Sequence, residues 1–258
     1  MKLIVICRKN TASVNIGKAF LGKHNLPNFT QVLEVDDNVL DLDKHKSKFD
    51  KLKPEVIIVL SSHASKAGVN SFSAHPTGNF DTNDLGGDKK TLSVAPALYL
   101  RTALLGLRKH AKRRGCLEYQ ITIEATHHSP TFDYPLLFVE IGSNEEAWKD
   151  ELAAEVVADV VYDLVSKPLE KGTIAVGFGG NHYSPRFQKM IEEKGYAFGH
   201  ICPKHKLDDL DEEMILQIIN KTIPKPEQVV LDWKGMNSAQ RNKIVEVLTR
   251  NRIEFVRV

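Results

Sequence analysis

The chain lacks most of the features that would place it at once. Its 258 residues include three cysteines, Cys7, Cys116 and Cys202, far apart and odd in number. That argues against a disulfide framework and fits a reducing compartment. No apolar run approaches the roughly 20 residues of a membrane span. Met1 leads into a strand-like run without the charged-then-apolar pattern of an export signal, so a cytoplasmic protein with no membrane partner is expected. Charge of one sign is missing too. With 35 basic and 33 acidic residues the net charge is +2, so any nucleic-acid contact must come from a local patch, not a global field. There is no internal repeat, no Gly-x-Ser-x-Gly elbow, and no cysteine beside a histidine as a nucleophile pair. The glycine spacing matches neither a dinucleotide fingerprint nor a P-loop.

What the chain has in quantity is histidine in loops. Six of its ten histidines (His63, His75, His127, His128, His182 and His200) lie among Gly, Ser, Pro, Asn and Thr, where binding residues concentrate. Around them, strand-like runs alternate with helical patterns. Strands are predicted at 2–7, 31–35, 55–60, 119–123, 136–141, 173–177, 197–201, 228–232 and 254–258. Helices are predicted at 13–24 with Ser13 as N-cap, 96–112, 145–165 with a Ser143–Glu146 capping box, 212–221 and 237–251. This alternation specifies an α/β fold: a mixed, mostly parallel sheet with helices on both faces. It forms a single domain over 1–258, with a C-terminal subdomain from about 204. The stretch 61–90 reads as a long loop, ordered and functional because it holds the buried-type residues Phe72 and Phe80.

In such a fold, strand exits on one edge converge. Glu124, His127 and His128 follow the strand 119–123, and Pro130 prevents an immediate helix. His63 and His182 follow other strands closely, and His200 lies near a strand end. Glu140 sits inside an otherwise apolar strand, where a carboxylate must be paired, hydrogen-bonded or bound to a cation. One shared site explains this placement better than independent core histidines. Polar sites of His and Glu suit Zn²⁺, which lowers the pKa of bound water to about 7. A metal-free alternative keeps a histidine as general base and uses glycine-loop amides as an oxyanion hole. His200, Cys202 and His205 do not match a closed zinc-site spacing. The glycine turn 177–181, with Arg186, suits a phosphate, and Trp233-Lys234-Gly235 lies at a strand exit that could line the crevice. Arg108, Lys112, Arg113 and Arg114 read either as a solvated helix end complementing its dipole or as a phosphate-contacting patch.

Several ordered segments then fall into one pattern. They are Ser-Ser-His-Ala-Ser (61–65), His-Pro-Thr-Gly-Asn (75–79), Glu-Ala-Thr-His-His-Ser-Pro-Thr (124–131), Phe-Val-Glu-Ile-Gly-Ser (138–143), Gly-Gly-Asn-His-Tyr (179–183), Phe-Gly-His (198–200) and Asp-Trp-Lys-Gly (232–235). Over essentially the whole chain this resembles the archaeal and plant type of D-aminoacyl-tRNA deacylase. The resemblance implies a zinc-dependent hydrolase that cleaves the ester between a D-amino acid and tRNA. It also implies a core similar to those of phosphorylases and peptidyl-tRNA hydrolases, and a cytoplasmic, archaeal protein; a monomer is expected. Joined to the residue reading, the expected catalytic residues are His127, His128, Glu124, His63 and Glu140. The expected metal ligands are His127, His128, His182 and His200, with His63 and His75 as further candidates for metal or water activation. Expected substrate contacts are His75, Thr77, Gly179, Gly180, Asn181, Arg186 and Lys66, with Arg108, Lys112, Arg113 and Arg114 as candidates for the tRNA backbone. Two rivals remain at this level. A nucleoside phosphorylase or nucleosidase would release free base, and a non-catalytic RNA-binding module would bind tRNA without turnover.

Overall fold

Two sheets, not one, organise the chain. The computed structural model describes residues 1–258. Its strands in chain order are β1 (Lys2–Cys7), β2 (Thr30–Val35), β3 (Val56–Ser62), β4 (Ser71–His75), β5 (Gly78–Asn79), β6 (Thr91–Leu92), β7 (Ala95–Pro96), β8 (Gln120–Ile123), β9 (Leu136–Gly142), β10 (Thr173–Phe178), β11 (Tyr196–Cys202), β12 (Thr222–Ile223), β13 (Gln228–Leu231) and β14 (Phe255–Arg257). The helices are α1 (Thr11–Lys23), α2 (Lys46–Leu52), α3 (Ala97–Arg114), α4 (Glu145–Lys149), α5 (Glu151–Ser166), α6 (Pro185–Lys194), α7 (Glu212–Asn220) and α8 (Ser238–Arg250). The first sheet has the order β2-β1-β3-β9-β4-β8 and the second β11-β10-β13-β14. All pairs are parallel except β4 against β9 in the first sheet and the short β5–β6 ribbon. The fold is the expected mixed, mostly parallel α/β class. The change from one sheet to the other falls between α5 and β10, about thirty residues before the subdomain start expected near 204. No helix is long and apolar enough to cross a membrane.

The apolar strand runs explain the first sheet. Ile4, Ile58, Leu60, Leu137, Val139, Phe72 and Ala74 face α1, α3 and α5 in one core cluster. On the other face Leu3, Val5, Ile57, Val59, Leu136 and Phe138 pack under Phe49 of α2 and Phe132. Full burial of each large apolar side chain contributes roughly 1.5–3 kcal/mol, so these rows set the register. The site grows from the second face. Ile57 pairs with Leu136, Val59 with Phe138, and then Ser61 with Glu140 and Glu140 with Ser73. Because side chains alternate along a strand, the row that is apolar at one end becomes hydroxyl and carboxylate at the other.

β4 lies where a loop was expected. Its sequence Ser-Phe-Ser-Ala-His alternates with period two, sending Phe72 and Ala74 into the main core and leaving Ser71, Ser73 and His75 on the site face. Smaller departures are local. Asn10, not Ser13, caps α1 by accepting from Ser13 N. Asn144, not Ser143, caps α4, and Asp150 breaks the long helix by capping α5.

The sheets meet at the residues just past β8. Ala125 N donates to His182 O and Thr126 N to Ile201 O. Ile123 and Ala125 pack with Ala175, Phe187, Phe198 and Val230 of the second half.

Candidate active site

Glu124 is the centre of the site. It is fully buried where β8 ends, with its backbone N donating to Ala74 O of β4. His182 donates to its Oε2 through Nε2 at 2.8 Å. His63 Nδ1 approaches Oε1 at 3.2 Å and His127 Nε2 approaches Oε2 at 3.7 Å. The His63 approach lacks hydrogen-bond alignment, so Oε1 is a buried oxygen without a donor. Such an atom costs about 1–3 kcal/mol in a neutral group and more in a charged one. Burial pushes the Glu124 pKa up, but the His182 hydrogen bond and the close His63, His127 and His75 imidazoles outweigh it and hold the carboxyl well below its usual range.

Glu140 lies beside Glu124 and lines the wall of the larger of two clefts. It accepts from Ser73 Oγ at 3.2 Å and lies 3.6 Å from His75 Nε2 and 3.9 Å from His63 Nδ1. The 3.6 Å contact with His75 is too long for a hydrogen bond, so that attraction acts through charge. Burial raises the Glu140 pKa, His75 lowers it by more, and the carboxyl stays below its ordinary value. The same contacts act in reverse on the imidazoles. Burial pushes His63 and His75 down, but the neighbouring carboxylates outweigh it and leave both raised. The close approach of His63 needs Gly142, since a Cβ there would come within 2.9 Å of the imidazole.

Three histidines form the other half. His75, His127 and His128 can bring ring nitrogens within 4.8 Å of one another. Nδ1 of His75 faces Pro76 O, Nδ1 of His127 faces Ala125 O and Nδ1 of His128 faces Ser129 O. In the neutral ring each carbonyl fixes the tautomer, so Nδ1 carries the proton and Nε2 presents its lone pair. His75 Nε2 is itself a buried atom without a hydrogen-bond partner. A ligating histidine that donates its other nitrogen to a carbonyl is the usual way in which proteins orient imidazole toward a metal. The three residues therefore fit a divalent ion of the zinc type. Burial, then the neighbouring histidines, push His127 well down and His128 to about 4. Both rings are neutral at pH 7 and available as ligands.

Several expected roles change. His75, expected as a substrate contact and as a candidate for metal or water activation, is a buried ring in β4 whose Nε2 groups with those of His127 and His128. His200 is not a ligand: Nδ1 bonds Thr126 Oγ1 at 3.0 Å and Nε2 bonds Ser93 O at 2.9 Å, so both nitrogens are used. Its burial drives the pKa to about 3. His182 spends Nε2 on Glu124, and Glu124, His127 and His182 bring ligand atoms within 4.8 Å of one another. Thr77 is buried and bonded to Ser93 Oγ and Pro130 O, and so it supports the histidine loop from behind. The glycine turn is not an anion cradle. Gly179 N donates to Cys202 O and Gly180 N to Gly235 O. The Asp232 carboxylate closes the turn, 3.2 Å from where a Gly180 Cβ would stand. Arg186 pairs with the same Asp232 at 3.0 Å. Asn181 accepts from Tyr183 N and Ser184 N. The two glycine amides are thus spent on backbone carbonyls, and Arg186 is neutralised by Asp232. Trp233 stacks under Arg257, 4.1 Å from ring centre to guanidinium. Arg108, Arg113 and Arg114 are paired with Glu192, Asp159 and Glu155, whereas Lys66 and Lys112 are exposed.

Two clefts open from the histidines. One of about 210 Å³ passes Gly78, Asn79, Phe80 and Pro203; the other, of about 480 Å³, passes Asn10, Leu40, Ser62, His63 and Trp148. Both include Leu85, His127, His128 and His182.

A buried ionised carboxylate, imidazoles free to hold a cation, and no cysteine in the site make up the acid–base equipment of an α/β hydrolase that works through water. Residues 50–256 match the sequence profile of D-aminoacyl-tRNA deacylase. The D-aminoacyl-tRNA deacylase of Pyrococcus furiosus is 32% identical over 275 residues, covering 100% of both chains. That of Ignicoccus hospitalis is 41% identical over 201 residues, 78% of this chain and 80% of its own. A crystal structure described as a conserved protein of unknown function superposes with a TM-score of 0.91 and 31% identity, covering 100% of this chain and 95% of its own. The chain belongs to the D-aminoacyl-tRNA deacylase family.

Proposed function

We propose that the chain hydrolyses the ester of D-aminoacyl-tRNA, releasing the free D-amino acid and tRNA, with zinc held by His75, His127 and His128. The observation that supports the metal assignment is the shared geometry of the three rings, each with Nδ1 given to a carbonyl and Nε2 left free. A zinc ion held there would act as a Lewis acid, lowering the pKa of a bound water to about 7. Glu124 and His182 do the proton work as a pair. The His182 ring lines both clefts while its Nε2 is held by the buried Glu124 carboxylate. Its other ring nitrogen accepts the proton of the attacking water as the new C–O bond forms at the ester carbonyl. As the bond to the ribose oxygen breaks, His182 returns that proton to the leaving oxygen. Glu124 orients the ring and balances the charge it gains, and Glu140, on the wall of the larger cleft, is held by Ser73.

Purified protein is assayed on D-Tyr-tRNA and L-Tyr-tRNA before and after chelation and zinc re-addition. Selective loss of the D-ester, abolished by chelation and restored by zinc, is the expected result. D-ester cleavage that survives full chelation removes the metal from the reading, and equal cleavage of both esters removes the chiral selectivity.

A further inference from the structure

The two clefts that meet at the histidines differ in size and lining, and the difference assigns their occupants. About 210 Å³ falls below the roughly 300 Å³ at which small-molecule sites begin, whereas about 480 Å³ lies well inside their range. A nucleoside needs the larger one. That cleft contains a single aromatic ring other than histidine, Trp148. The indole is half-buried against the main core. Its Nε1–H donates to His63 O at 3.0 Å, and its own backbone carbonyl accepts from Asn15 Nδ2 at 2.8 Å. The ring is therefore held in place before any ligand arrives, which removes the ordering cost of stacking on it. Polar groups suited to a ribose or a base edge stand around it. Ser62 Oγ is engaged by Asn10 Nδ2 at 2.8 Å, and Asn38 uses its side-chain oxygen on Val39 N, leaving its NH₂ without a protein partner. Val39 and Leu40 add apolar wall.

We infer that Trp148 is the stacking platform for the terminal adenosine of the substrate, with the ester at the shared histidines and the amino-acid side chain in the smaller cleft. The inference rests on the deacylase reading above. It places the nucleic-acid end on the first sheet, beside His63, and away from the glycine turn that Asp232 closes.

The probe is adenosine 5′-monophosphate. The chain has two tryptophans, so in a Trp233→Phe background the emission reports on Trp148 alone. Adenosine monophosphate quenches that emission saturably and competes with D-Tyr-tRNA, while free D-tyrosine does not quench it. Trp148→Ala raises KM for D-Tyr-tRNA about tenfold with kcat unchanged, as expected for the loss of one base stack, and Trp148→Phe recovers most of it. Quenching by D-tyrosine but not by adenosine monophosphate overturns the assignment. So does a fall in kcat at constant KM, which would show Trp148 acting only through His63. An active deacylase whose Trp148 ignores adenosine monophosphate removes the subsite and leaves the reaction standing. Saturable quenching in a protein that cleaves neither ester removes the reaction and leaves the subsite.

Discussion

The molecule buries two clusters of histidine and carboxylate, and only one is built to react. Asp159, between α1, α3 and α5, faces His24 Nε2 at 3.0 Å, Arg113 Nη2 at 2.5 Å and Arg114 Nη2 at 2.6 Å, with His110 Nδ1 at 3.7 Å. The cationic partners of Glu124 are all imidazoles: His63, His127 and His182. A guanidinium is charged at every accessible pH and cannot give up its proton, so the two arginines hold the Asp159 carboxylate ionised throughout. Imidazole changes charge in the physiological range and offers a lone pair to a metal. Burying a carboxylate is common to both clusters; what separates them is whether a permanent cation sits on it.

The comparison breaks most visibly at the carboxylates themselves. Glu124→Gln lowers kcat by about 10²- to 10⁴-fold, the usual worth of a positioned general base, because His182 loses the carboxylate that orients its ring, while zinc content is nearly unchanged. Steady-state kinetics and metal analysis on one preparation check this, and retained kcat excludes the Glu124–His182 pair as the base. Next come the ligands. His75→Ala and His127→Ala lose bound zinc, whereas His200→Gln keeps it, because both His200 nitrogens serve the fold. Equal zinc loss in all three would return His200 to the site. Asp159→Ala reverses the pattern. It leaves the buried Arg114 with Glu155 alone and the exposed Arg113 without its carboxylate, costing about 2 kcal/mol and lowering the melting temperature by about 4–8 °C, while kcat/KM of the folded enzyme stays unchanged. The smallest effect is one of pH. Burial outweighs Asp163 and holds His110 below its ordinary pKa. Between that lowered value and about 6.5 the unfolded chain binds a proton that the fold refuses, so stability falls as pH drops through this window. Denaturation midpoints of His110→Gln measured across it are flatter than wild type.

The same contrast explains how much could be read from the sequence. Glu124, His127 and His128 are adjacent in the chain and sit at a strand exit, so their pattern is local and visible. The buried-strand runs and the resemblance carried the fold class. His75 was read both as a substrate contact and as a candidate for metal or water activation, with β4 taken for loop, although the alternation of Ser71 to His75 was there to see. The other differences come from partners distant in sequence. His200 is consumed by Ser93 and Thr126, the glycine turn by Asp232, and the arginines of α3 by Asp159, Glu155 and Glu192. Composition and periodicity carry no information about such pairings. Trp148 carries no sequence signal of its own, because a cleft wall and a core face have the same helical spacing.

Two backbone hydrogen bonds, from Ala125 N to His182 O and from Thr126 N to Ile201 O, run across the seam between the sheets. Cut between Lys167 and Gly172, the chain yields one fragment with Glu124 and the three ligand candidates, and another with His182, which holds the carboxylate in place. Neither piece has a complete centre. Catalysis then belongs to the rejoined pair, and its rate becomes a direct count of reassembled molecules.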